Sequence, residues 1–209
     1  MSSKRSSQAD KEASAVVDFL FEAGILAETP RSGFHFLGSG KQSVAEHLNR
    51  VSYIGYALAM VDGTVDIARV LKMCLFHDFA EARVSDLNYV HQKYVKSDET
   101  GAIADATKQL PFGDDVAAVM EEYEARVTPE ALIAKDSDTL EWILSLKEQA
   151  DTGNSRAQTW LPSATARLNT AAAQSLAASI LDTDSDHWWF ANKDDEWWVT
   201  RNKNTAAKK

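Results

Sequence analysis

The sequence predicts an all-α fold, and three observations carry that expectation. Apolar residues recur at helical spacing through most of the chain, cap-forming residues stand where several of these stripes begin, and no region alternates in the manner of strands. With 209 residues, 44% of them hydrophobic, the chain can bury a sizeable core, and its length suits one domain without internal repeats.

Residues 1–12 are polar and are expected to form an N-terminal tail. Val16, Val17, Phe19, Leu20 and Ala23 make a first short stripe that Gly24 ends, and a loop runs through Thr29 to Gly33. Ser43 and Glu46 have capping-box spacing, and Val44, Leu48, Val51, Ile54 and Leu58 continue that helix, which puts His47 in its first turns. From Asp66 to about Ala82 the residues Ile67, Val70, Leu71, Met73, Leu75 and Phe76 predict a buried central helix, with His77, Asp78 and Glu81 near its C-terminal end. Residues 85–97 read as a loop or short helix, and helical patterns follow over 102–110 and 115–126, parted by Pro111 and Gly113. Thr128-Pro129-Glu130 supplies an N-cap, a first-turn proline and an acid at the helix dipole, starting a helix to about Gln149 that contains Asp136 and Asp138. An alanine-rich helix over 164–181 closes a bundle spanning 13–182. The extension at 183–200 holds His187-Trp188-Trp189-Phe190 and Trp197-Trp198-Val199, which suit two short extended pieces packed on the bundle or on a second copy, before a polar tail at 201–209.

Acidic residues outnumber basic ones 31 to 22, which argues against a nucleic-acid polymer or an anionic membrane as partner but leaves room for a small anion held locally. Cys74 is the single cysteine, so no intrachain disulfide forms, and its apolar neighbours place it in the core. The first residues lack an apolar signal core and no run reaches the roughly 18 apolar residues of a membrane span, so a cytoplasmic protein is expected.

His and Asp at the end of so apolar a helix are costly to bury unless paired or bound to a cation. His77 with Glu81 and Asp78 with Glu81 have the spacings that share a helix side, and a second His plus a later carboxylate can complete a two-imidazole, two-carboxylate set. Such donors suit Mn, Fe, Co, Ni or Zn and leave positions for water and a phosphate oxygen.

Taken in order, Ser43-Val44-Ala45-Glu46-His47, His77-Asp78-Phe79-Ala80-Glu81-Ala82, Asp86-Leu87, Lys93-Tyr94 and Lys135-Asp136-Ser137-Asp138-Thr139-Leu140-Glu141 resemble the HD-domain 5′-deoxynucleotidase family over about 30–149. The resemblance implies an HD-domain helical bundle, a homodimer, and hydrolysis of deoxyribonucleoside 5′-monophosphates with a divalent metal ion (Mn, Co, Fe, Ni, Zn or Mg). By matching position it makes His47, His77, Asp78 and Asp138 the metal ligands, Glu81 the acid that handles the water, and Asp86 a catalytic neighbour of the sugar. Arg31 and Phe34 fall where members frame the nucleotide with an arginine and a tryptophan. Arg50, three residues after His47, and Lys93 are further candidates for phosphate contact, each with a surface ion pair as its alternative. Asp136 is expected to be a solvated helix charge, and His35, His91 and His187 to stand apart from the metal. Phe34 in place of tryptophan, Thr139 in place of a common lysine and Trp142 in place of a smaller apolar residue are departures that touch substrate choice. Two readings stay beside the deoxynucleotidase: an HD phosphohydrolase for another nucleotide or small phosphomonoester, and a metal-binding helical scaffold without turnover.

Overall fold

A computed structural model describes residues 7–200, and its regular elements are helical. In order these are α1 (Gln8–Ile25), a 3-10 turn (Ser32–Phe36), α2 (Val44–Asp62), α3 (Ile67–Phe76), α4 (Glu81–Val84), a second 3-10 turn (His91–Lys93), α5 (Glu99–Thr107), α6 (Gly113–Ala125), α7 (Pro129–Asp151), α8 (Ser155–Thr165), α9 (Ala171–Asp182), α10 (His187–Phe190) and α11 (Glu196–Thr200). No described helix is long and apolar enough to cross a membrane.

The expected caps form. The Ser43 hydroxyl accepts from Glu46 N at 3.2 Å while Glu46 accepts from Ser43 N at 2.7 Å, fixing where α2 starts and hence where His47 points. Thr128 accepts from Ala131 N at 3.2 Å and Pro129 opens α7, the longest helix, which packs against α2, α3, α6, α8 and α9. Val51, Val70, Met73, Leu140, Ile143 and Leu146 are fully buried among these helices. Cys74 joins them, and burial pushes its thiol up to about 12, so it stays protonated. Gly55 is required at the α2–α3 contact, because a Cβ there would lie 2.5 Å from Cys74 Sγ.

Four segments differ from expectation. α1 begins at Gln8 behind a Ser7–Asp10 capping box, so residues 8–12 are helical and not a tail; the rest of that tail, and the one at 201–209, lie outside the described residues. The helix expected to reach Ala82 stops at Phe76. Phe79 N and Glu81 N bond three residues back, to Phe76 O and Asp78 O, and this tighter winding stacks Phe79 on Phe19 at 4.9 Å before α4 resumes.

The alanine-rich stretch is not one helix from 164: Ala164 and Thr165 end α8, and α9 starts only at Ala171, because the turn between them is held by Asp136. Asp136 is completely buried and not solvated: it accepts from Asn169 N (2.8 Å), Asn169 Nδ2 (2.9 Å), Thr170 N (2.7 Å) and the Thr170 hydroxyl (2.7 Å). Replacing Asp136 by alanine removes a buried acceptor of four hydrogen bonds, and a loss of about 1–3 kcal/mol in urea unfolding is expected. A change below about 0.5 kcal/mol would remove Asp136 as the anchor of α9.

Lastly, 183–200 contains short helices and not extended pieces. Two apolar runs this short cannot sustain an isolated hairpin, whereas Asp195 accepts from Trp197 N at 2.7 Å and starts a helical turn. Trp189, Phe190, Trp197 and Trp198 cluster on one another, and Trp188 remains 84% exposed.

Candidate metal centre and active site

α2, the end of α3 and α7 bring four side chains to one point. His47 Nε2 lies 3.3 Å from His77 Nε2, 3.4 Å from Asp78 Oδ2 and 3.3 Å from Asp138 Oδ1. His77 Nε2 is 3.4 Å from Asp78 Oδ2 and 3.9 Å from Asp138 Oδ1, the loosest of these separations. Both rings are turned by bonds at their other nitrogen: His47 Nδ1 donates to Glu141 Oε2 at 2.7 Å and His77 Nδ1 to Cys74 O at 3.1 Å. Two imidazoles fixed in this way aim their Nε2 lone pairs at each other, an arrangement that asks for a positive charge between them.

The proton affinities say the same. Burial and the Arg31 guanidinium oppose charge on His47, but hydrogen bonds to Asp138 and Glu141 and the charge of Asp78 outweigh them and hold it up at about 9. Burial keeps the His77 imidazole below its ordinary value despite Asp78 and Asp138. Burial would raise Asp138, yet Lys135, whose Nζ is 2.7 Å away, and the two histidines hold it well below the carboxylate range. Donors bonded at about 2.0–2.2 Å to a shared ion stand roughly 3.0–3.6 Å apart. His47, His77 and Asp78 therefore form a group that could hold a divalent cation, and Asp138 Oδ1 stands beside it, 3.3 Å from His47 Nε2 and 3.9 Å from His77 Nε2. Glu81 Oε2, buried beside this set without a hydrogen-bond partner, marks room for one more polar group.

Behind the rings, Glu141 is fully buried and locked by Gln42 Nε2 (2.6 Å), Arg50 Nε (2.9 Å) and Arg50 Nη2 (2.6 Å). Burial opposes its ionisation, but the His47 bond, Arg50 and Gln42 hold it down at about 2. Arg50 also donates to Glu148 and Ser145 at 2.6 Å each, so its guanidinium is occupied behind His47 and is not directed at a phosphate. This carboxylate–histidine pair fixes the orientation of the His47 ring and raises the basicity of its Nε2.

In front, Arg31 Nη1 reaches Asp78 Oδ2 at 3.0 Å and Asp86 Oδ2 at 3.5 Å, and Nη2 reaches Asp138 Oδ1 at 4.0 Å. Burial disfavours its charge, but Asp78, Asp138 and Asp86 together hold the guanidinium more firmly protonated than usual. Asp86 accepts from Ser32 N and the Ser32 hydroxyl, each at 2.9 Å, and so pins the Arg31 loop. Burial, Asp78 and Asp86 outweigh Arg31 at Glu81 and lift its carboxyl to about 10. A cavity of about 730 Å³ opens from Arg31, Asp86 and Asp138 and carries three more cations, Lys135, Arg126 and Arg167. Phe34 does not line it. Its ring meets the edge of Trp142 at 5.4 Å, and Trp142 and Tyr89 are the aromatics that line the cavity. Lys93 is exposed on the 3-10 turn and is not brought to the cavity, because that turn directs Gln92 there in its place.

Sequence reasoning thus missed Glu141, Lys135, Arg126 and Arg167 as parts of the site, while Trp142, expected to touch substrate choice, does line the cavity. Only α7 carried a usable signal: Lys135, Asp138, Thr139 and Trp142 follow the i, i+3, i+4, i+7 spacing of one helix face.

Comparison with known proteins agrees with this geometry. A family model described as HD domain matches residues 23–179. The 5′-deoxynucleotidase hdd1 of Schizosaccharomyces pombe is 31% identical over 145 residues, covering 64% of this chain and 72% of that protein. The 5′-deoxynucleotidase HDDC2 of Danio rerio is 31% identical over 139 residues, 64% of this chain and 68% of its own length. Among solved structures, a conserved hypothetical protein from Pyrococcus furiosus superposes with a TM-score of 0.68 at 26% identity, over 80% of this chain and 99% of that one. With His47, His77, Asp78 and Asp138 all inside the matched residues, this chain belongs to the HD-domain family.

Proposed function

We propose that the protein is a metal-dependent phosphohydrolase in which His47, His77, Asp78 and Asp138 hold a divalent cation, and that it cleaves deoxyribonucleoside 5′-monophosphates to deoxyribonucleoside and phosphate. The observation that carries this reading is the convergence of two imidazoles and two carboxylates at the mouth of a cavity rich in cations. The substrate class is supported by relatives named 5′-deoxynucleotidases.

A bound divalent cation supplies an acidified water and neutralises charge on the phosphoryl oxygens. Arg31 and Lys135, both at the cavity edge beside Asp138, bind those oxygens and orient the ester. Glu81 is a buried carboxyl with one oxygen unpartnered, raised by burial and by Asp78 and Asp86 in the cation-free site, and in its protonated form it would pass that proton to the 5′ oxygen as the P–O bond breaks. The water oxygen forms the new P–O bond, and its proton restores Glu81. Asp86, held by Ser32 beside Arg31, borders the sugar. Arg50 and Lys93 have no place in this scheme, the first being consumed by Glu141 and Glu148 and the second lying outside the cavity.

The test is a panel of deoxynucleoside and ribonucleoside 5′-monophosphates and simple phosphomonoesters, with Mn²⁺, Co²⁺, Mg²⁺ and Zn²⁺ in turn. Deoxynucleotides should be turned over well ahead of their ribonucleotide partners; equal kcat/KM for dAMP and AMP would overturn the sugar assignment. A homodimer belongs to the same reading, supported by Phe21, Tyr53 and Val61, which α1 and α2 leave 76%, 71% and 75% exposed. Light scattering of the assayed sample should give twice the chain mass, and a monomer mass would refute it.

A further inference from the structure

A second cavity, of about 480 Å³, adjoins the first and is lined almost wholly by apolar atoms. The two share Tyr89, Trp142 and Arg167, and Phe36 and Trp160 form much of the remaining wall. Trp142 divides them and is firmly seated. Its ring meets Phe34 edge-on at 5.4 Å and Trp160 at 6.4 Å, and Gly33 lets it lie against the loop that carries Arg31, since a Cβ there would come 2.8 Å from the indole.

Position along α7 gives this annex a meaning. Trp142 stands one turn beyond the cation donor Asp138 and two turns beyond Lys135, about 6 Å and about 10 Å along the helix axis. That interval is the reach of the sugar between a 5′ phosphate and its base. Phosphate cannot occupy the annex, because its one cation is Arg167 at the junction; a flat, neutral, apolar group can.

We propose that the annex is the nucleobase subsite, with the base stacked on Trp142, and that it favours purines, whose larger ring system covers more of the indole. The proposal rests on the nucleotide reading above and adds a base preference to it. Stacking on an aromatic side chain changes binding by roughly 5- to 150-fold per base, so base identity should be read in the kinetics.

The experiment compares dAMP, dCMP and the base-free 2-deoxyribose 5-phosphate on the parent enzyme, on Trp142→Ala, on Trp142→Phe, and on Ser163→Trp, which fills the annex from α8. The parent should rank dAMP above dCMP above the base-free ester. In Trp142→Ala the ratio of kcat/KM for dAMP to that for the base-free ester should fall by roughly 10- to 100-fold, mostly through KM, with Trp142→Phe in between. Ser163→Trp should lower the same ratio. Equal losses for dAMP and the base-free ester would make Trp142 a packing residue and overturn the proposal, as would an unchanged ratio. Calorimetric binding of deoxyadenosine to the same four proteins keeps the annex testable should no ester be hydrolysed. Undiminished nucleoside binding in Trp142→Ala and Ser163→Trp would sink the subsite, whereas inactivity with intact, Trp142-dependent binding would sink only the hydrolase reading.

Discussion

His47→Ala, Asp78→Ala and Asp138→Ala are each expected to lose the stoichiometric divalent cation and nearly all phosphohydrolase activity, because each deletes one of four converging donors. Elemental analysis of the purified variants decides the matter, and stoichiometric metal in all three would remove the assignment. Glu141→Gln is the contrast. It keeps all four donors but weakens the anchor on His47 Nδ1, so cation affinity should fall by about 10- to 100-fold while stoichiometry at saturation is retained.

Acidity should act on the same equilibrium in a defined direction. His47 of the cation-free protein is held up at about 9 from an ordinary value of 6.5, so its proton contributes stability that is complete below 6.5 and lost as the pH rises through 9. A cation must displace that proton. Cation affinity is therefore expected to climb between pH 6.5 and about 9, with proton release visible in buffers of different ionisation enthalpy. Affinity that is flat across this window would exclude His47 as the group displaced.

The second large effect is at Glu81. Glu81→Gln and Glu81→Ala should retain the cation and the substrate yet lose about 10²–10⁴-fold in kcat, since neither can move a proton. The basis is a buried carboxyl with one unpartnered oxygen, lifted by burial and by Asp78 and Asp86, next to the donors without being one of them. Metal content and kcat for dAMP are measured on one sample. Full activity with full metal would exclude Glu81 from the chemistry, and loss of both would make it a ligand or a folding residue.

Local order was legible in the sequence, and convergence only partly so. Ser43, Glu46, Thr128 and Pro129 act on backbone within four residues, so their pattern alone places the starts of α2 and α7. His47, His77, Asp78 and Asp138 were proposed as cation donors because they fall in short ordered motifs matching a known family, and His47, His77 and Asp78 do converge. Arg50 shows the limit. Its spacing from His47 was read correctly, but its partners, Glu141 and Glu148, lie more than ninety positions away and turn it behind the site. Asp136 and Asp138 differ by two positions and read alike as helix acids, yet one faces the turn before α9 and the other the cation donors, because residues two apart on a helix lie on nearly opposite sides. The Trp-rich segment misled for a different reason: adjacent aromatics satisfy a strand propensity without supplying a partner strand.

Those neighbouring acids on α7 have a consequence for the limits of the functional unit. Asp136 commits one side of the helix to Asn169 and Thr170, and Asp138, half a turn on, commits the other to His47. A chain cut before α9 would leave a buried carboxylate without donors in the same turn that positions a cation ligand. The family match ends at residue 179, inside α9 and ahead of α10 and α11. The matched residues thus include the Asn169–Thr170 turn that holds Asp136, which ties the start of the closing helix to the helix that carries Asp138.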